Sequence, residues 1–173
     1  TTQLTTHTAR GNQTTPAQAM ARPPRAAGFA ENDVIVAGPN DRKKNVVVRF
    51  HGSGQRKPIL FIGHLDVVEA RREDWTTDPF VFIEKDGYFY GRGTSDMKDE
   101  DAAVAATLIR LKKEGYVPDR DIIVAFTADE EVSLEQDGPE FLLNDNRYRV
   151  VPGRVRHPDG GSAQPQHANP PTH

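Results

Sequence analysis

The sequence predicts an α/β domain, a mixed, largely parallel sheet flanked by helices. Three observations predict it. Short β-branched and aromatic runs recur through the middle of the chain, at Val34–Val36, Val46–Phe50, Ile59–Ile62 and Ile122–Phe126. The last two are apolar throughout, as strands covered on both faces are. An amphipathic segment lies between those two, so strand, crossover helix and strand follow one another.

Each element has its own reason. Residues 1–15 hold seven threonines and little that is apolar, so the start reads as flexible. Thr15-Pro16 predicts a short helix with Thr15 as its cap and Pro16 in its first turn. Pro23 and Pro24 are expected to end it. Val34–Val36 and Val46–Phe50 are joined by the turn-rich GPNDRKKN, which predicts a hairpin or meander. Phe80–Ile83 and Tyr88–Tyr90 flank Asp86-Gly87, a hairpin signal. A helix is predicted from about Met97 to Glu114, with Val104, Leu108 and Leu111 on one face. Asp99, Glu100 and Asp101 suit its positive end, and Lys112 and Lys113 its negative end. Gly115 supplies the stop. From Val150 to His173, five prolines and three glycines in 24 residues predict a disordered tail.

Composition narrows the function. The chain has 173 residues, 36% hydrophobic, with a formal net charge of −3. The pI is about 6.1. No basic stripe is present, which argues against nucleic acid as a partner. No apolar run reaches the roughly 20 residues of a membrane span, so no membrane partner is expected. With no cysteine, disulfides and thiolate metal ligands are excluded. No signal peptide is visible, yet the chain begins at Thr1. Cytoplasmic and exported locations, the latter after removal of a signal, both stay open.

The chemistry lies beyond the strand ends, where ligands bind in open α/β sheets. PILFIG runs into His64-Leu65-Asp66, and residues at i and i+2 of extended chain point the same way. Asp66 is therefore expected to accept the second ring N–H of His64. DIIVAF runs into Thr127-Ala128-Asp129-Glu130-Glu131. In extended chain two adjacent glutamates face opposite ways, which suits one ligand and one proton carrier. Asp96 sits between a glycine turn and a helix start. Four converging carboxylates repel, and divalent cations remove the conflict. Imidazole with carboxylates is compatible with zinc, among other metals.

Singly, each piece has a plainer explanation. His64 can be a surface residue, Glu130-Glu131 a solvated pair, Asp96 a helix cap, and the glycines of GRG turn residues. HGSGQRK lacks the full phosphate-loop pattern. A nucleotide-binding α/β protein would account for the layers but not for these clusters.

Together the pieces carry more. GHLDVV, WTTDPF, DGYFYGRGTSDMK, an amphipathic helix and AFTADEE, in this order and spacing, resemble the co-catalytic zinc metallopeptidases. These are relatives of acetylornithine deacetylase, succinyl-diaminopimelate desuccinylase, aminoacylase and glutamate carboxypeptidase. The resemblance covers roughly Ala26 to Tyr148 and fades near Arg149. It implies that His64 ligates one zinc, Asp96 bridges two, and Glu131 ligates the other, with Co2+ or Mn2+ as substitutes. Ions bridged in this way lie about 3.5–4 Å apart. Asp66 would orient His64, and Glu130 would be the general base for zinc-activated water. A cis peptide after Asp96 is implied as well. Substrates would be peptides or N-acyl amino acids, and the full-length family form would dimerise.

The family also needs a further acidic ligand after the glutamate pair and a distant histidine. His157 and His167 sit in no such context and read as tail residues. The expected layout is a flexible segment over 1–25 containing the short helix, a partial catalytic domain over 26–149, and the tail over 150–173. The alternative is a truncated, inactive remnant, at most a weak metal-binding or interaction module.

Overall fold

A computed structural model of the chain describes residues 12–131 and 141–142. The expected flexible start and the proline-rich tail, with His157 and His167, lie outside the described residues apart from 12–15. The strands are β1 (Val34–Ala37), β2 (Asn45–Phe50), β3 (Ile59–His64), β4 (Ile83–Lys85), β5 (Tyr88–Tyr90) and β6 (Ile122–Thr127). The helices are α1 (Thr14–Ala26) and α2 (Lys98–Lys113).

The main sheet has the order β1-β2-β6-β3. It is mixed, with helices, as the sequence predicts. Among the described strands only β3 and β6 pair in parallel, while β1–β2 and β2–β6 are antiparallel. The parallel pair is the one joined through α2, because parallel strands need a long crossover. β3 registers Ile59 against Ile122 and His64 against Thr127, so both strands end together. That shared end brings two of the three sequence clusters to one place.

Two apolar clusters sandwich the sheet. One gathers Ala17, Met20 and Ala21 of α1 with Val46, Val48, Val124 and Phe126 of the sheet and Ala105 and Leu108 of α2. The other gathers Val47, Leu60, Ile123, Ala125 and Leu142. The alternation of Val46 and Val48 with Val47 is the strand period at work. β3 lies at the sheet's edge among the described strands, so Phe61 and Ile62 are only half-buried, short of the full cover that their apolar run suggests.

Three element boundaries differ from expectation. α1 starts at Thr14 with Gln13 at its N-cap, so Thr15 lies inside the first turn rather than capping it. α1 does not stop at Pro23-Pro24 but contains both and runs to Ala26. The prolines fall in the last turns, where their carbonyls still accept, both receiving the Ala27 N–H at 3.0 Å. Pro24 is also buried with Ala17, Met20 and Ala21, so packing outweighs the missing donors. The hairpin turn at Asp86-Gly87 forms as predicted, with φ of 54° and 79°. Its first strand starts at Ile83 rather than Phe80. Asp78 Oδ1 takes the Phe80 N–H at 2.9 Å, and Pro79 O takes the Arg92 N–H at 2.6 Å, so the residues before β4 are held as a turn.

Candidate metal centre

Three chain segments deliver the predicted residues to one spot. His64 ends β3, Asp96 precedes α2, and Glu130 and Glu131 follow β6. His64 Nε2 lies 3.2 Å from Asp96 Oδ1 and 3.9 Å from Glu130 Oε2. Donor atoms of His64, Glu130 and Glu131 all lie within 4.8 Å of one another. Asp96 joins this group through His64. The imidazole is buried, with 8% of its side chain exposed, whereas Asp96 is 73% and Glu130 51% exposed. The site is therefore a buried imidazole faced by accessible carboxylates. The Asp96–Met97 peptide is cis.

The glutamates do not alternate as extended chain would have them. β6 ends at Thr127, Asp129 takes a positive φ of 65°, and the chain turns. Both glutamates then face His64. Several contacts hold this turn. Buried Asn45 accepts the Ala128 N–H at 2.8 Å, and Lys43 pairs with Asp129. The Asp66 carboxylate accepts the N–H groups of Glu130 and Glu131 at 3.1 and 3.0 Å.

Asp66 therefore sits where the sequence places it, with a different division of labour. The contact that orients the ring comes from its main chain, since His64 Nδ1 donates to Asp66 O at 3.1 Å. Its carboxylate is farther from that nitrogen, at 3.7 Å. The i, i+2 argument assumes that the strand geometry continues, but β3 ends at His64.

Charge around the site is unbalanced. Burial raises the Glu131 carboxyl above its ordinary range, and Asp96, Glu130 and Asp66 push it further against the pull of His64. The nearby lysines are already engaged. Lys43 pairs with Asp129, and Lys98 Nζ donates to Leu65 O at 2.6 Å. Burial lowers the Lys98 ammonium, opposed by Asp101 and Asp66. One imidazole and several like charges, with both of these lysines engaged elsewhere, are a donor set that fits a divalent metal ion.

Sequence reasoning missed the second layer. Asp101 suits the helix dipole by its position in the sequence, yet it is buried, and neither carboxyl oxygen has a hydrogen-bond partner among the described residues. Burial, opposed by Lys98 and His64, raises it to about 7. Gly63 is the trace this leaves in the sequence, because a Cβ there would stand 2.2 Å from Asp101 Oδ1. Asn45 and Lys43 carry no such trace, lying 83 and 86 residues from their partners.

Known proteins resemble this chain in sequence and in fold. A probable succinyl-diaminopimelate desuccinylase from Staphylococcus aureus is 40% identical over 118 residues, covering 67% of this chain and 28% of the relative. The chain thus spans less than a third of that relative's length. A dipeptidase from Saccharomyces cerevisiae superposes with a TM-score of 0.69 at 21% identity, over 90% of this chain and 36% of that one. An M20 family metallo-carboxypeptidase from Sulfolobus solfataricus does so with a TM-score of 0.66 at 18% identity, over 91% and 36%. The description of peptidase family M20/M25/M40 matches residues 60–161, past Arg149, where the resemblance was expected to fade. That match takes in His64, Asp96 and the glutamate pair and covers more than half of the chain, so the chain belongs to the M20/M25/M40 peptidase family.

Proposed function

We propose that this chain is the metal-binding part of an amide hydrolase, a peptidase or N-acyl amino acid deacylase. His64, Asp96 and Glu131 hold zinc, and Glu130 is the general base. The observation that carries this reading is the meeting of three separate segments at His64 Nε2, with the donors of His64, Glu130 and Glu131 within 4.8 Å of one another. The relative's name specifies desuccinylation, and the neighbours' names specify dipeptide and carboxyl-terminal cleavage. All three break an acyl–nitrogen bond.

Bound there, divalent ions would polarise a carbonyl oxygen and lower the pKa of water toward about 7. The chain's own residues do the rest. Buried His64 offers Nε2 because Nδ1 donates to Asp66 O, which fixes the tautomer. Glu130 is half-exposed and lies 3.9 Å from His64 Nε2, so it can exchange protons with water and with a substrate amine. As base it takes a proton from the attacking water, and as acid it returns that proton to the leaving amine.

A second reading is favoured by the donor count. The described residues supply one imidazole to two half-sites, and catalytic zinc sites normally use three protein ligands. The 173-residue chain would then be a weak metal binder without turnover. Metal analysis after dialysis, with a panel of N-acyl amino acids and dipeptides, separates the two. Measurable zinc uptake abolished by Asp96→Asn supports the proposed site. Uptake that ignores loss of both His64 and Asp96 would refute it.

A further inference from the structure

Asp66 is fully buried, and its polar atoms are divided between two targets. Its main-chain oxygen accepts from His64 Nδ1 at 3.1 Å. Its two carboxylate oxygens each accept one N–H, Oδ1 from Glu130 at 3.1 Å and Oδ2 from Glu131 at 3.0 Å. We propose that Asp66 is a dual positioning residue that couples the two halves of the candidate metal centre. Its main chain sets the tautomer of His64, and its carboxylate clamps the turn that aims Glu130 and Glu131 at His64. The functional weight of this inference rests on the reading of His64 and Glu131 as ligands and Glu130 as base.

The geometry explains why the clamp is needed. Consecutive N–H groups of extended chain point to opposite sides, so one carboxylate cannot take both. After β6 the backbone turns at Asp129, with φ of 65°, and presents both N–H groups to the same acceptor. A buried carboxylate needs charge-assisted donors to offset its desolvation, and two main-chain N–H groups provide them. Aligning those N–H groups also aligns the side chains they carry. The same residue, two positions after His64, thus sets the imidazole and the glutamates relative to each other.

Asp66→Asn separates the two roles. The main-chain carbonyl is untouched, so the His64 tautomer should stay protonated at Nδ1. The amide presents NH2 to one of the two N–H groups, so one hydrogen bond is replaced by a donor facing a donor. In the metal-free, 15N-labelled full chain, we expect unchanged ring-nitrogen signals of His64. Amide exchange at Glu130 or Glu131 should be roughly ten- to a hundredfold faster, the range for hydrogen bonds to charged groups. Zinc affinity should fall roughly ten- to a hundredfold, as for loss of an outer-shell partner. A switched His64 tautomer with unaltered glutamate amides would overturn the proposal. Should the variant unfold, the wild type decides. Slow exchange at Glu130 and Glu131 is expected there, and exchange at the rate of open chain would overturn the clamp. Protected amides in a chain that binds no zinc would instead refute the metal-site reading and leave the clamp standing.

Discussion

Asp101 illustrates how much one side chain can carry. Buried, and without a hydrogen-bond partner among the described residues, its carboxyl is held up at about 7, chiefly by burial. Its folded-state pKa thus lies above its unfolded value, and between about 4 and 7 the folded chain binds the extra proton. Stability must therefore fall as pH rises through that window and level off above it. The whole effect is on the order of a few kcal/mol. Asp101→Asn, neutral throughout, should flatten this dependence and raise the melting temperature more at pH 8 than at pH 5. Thermal unfolding at both pH values checks this, and an equal change at both would contradict it. At the metal centre, the residue-scale expectation is a contrast of roles. In a chain carrying the complete domain, Glu130→Gln should keep metal bound yet lower turnover by about 100- to 10,000-fold, because the amide cannot take the proton. Asp96→Asn should lose metal. Metal content and initial rates, measured side by side, would expose reversed roles.

At the scale of elements, the strand-end glycine and the helix behind it are matched. Gly63 leaves room for Asp101, and any side chain at 63 would collide with that carboxylate. Gly63→Ala should destabilise by about 1–3 kcal/mol, the usual cost of overpacking. Asp101→Ala in the same chain should recover most of it. Denaturant unfolding of the two single variants and the double variant forms the cycle. Additive losses would mean that the two residues do not press on each other. α1 shows the opposite balance between local rule and packing. Proline twice in succession argues for a helix end, yet burial of Pro24 beside Ala17, Met20 and Ala21 holds the helix to Ala26. A proline inside a helix costs about 3 kcal/mol, and the buried face of α1 offsets it here.

At the scale of the whole molecule, the question is how far 173 residues complete a site. The described donors give each half-site fewer than three protein ligands under the proposed assignment, and the chain spans 28% of the desuccinylase relative. We expect weak, substoichiometric zinc binding and little or no amide hydrolysis by this chain. Two tightly held zinc ions and clear turnover would show that the tail over 150–173, through His157 or His167, or a second copy, completes the centre. Exposed apolar surface belongs to the same scale. β3 has an open edge among the described strands, and Phe82 just before the hairpin and Tyr88 and Phe89 within it are 55%, 69% and 58% exposed. Open strand edges and apolar patches favour association. Apparent mass should therefore rise with concentration, and light scattering across a dilution series that stays at one monomer mass would refute it.

The sequence by itself determined the layer architecture, the hairpin at Asp86-Gly87, the α2 helix and the residues that meet at His64. Each of these follows from local chemistry: strand runs with their period, a turn pair with positive φ, charges suited to helix ends, and polar residues directly after strands. Only the tertiary structure decided that α1 passes through its prolines, that Glu130 and Glu131 share one direction, and that Asp66 serves them with its carboxylate. It also decided that Asp101 lies buried behind Gly63. These outcomes depend on contacts between residues distant in the chain, such as Asn45 with Ala128, Lys43 with Asp129 and Asp66 with the glutamate turn. Periodicity and propensity describe a residue's neighbours in the chain. A buried polar atom finds its partner across the fold, and the need to satisfy it shaped this site.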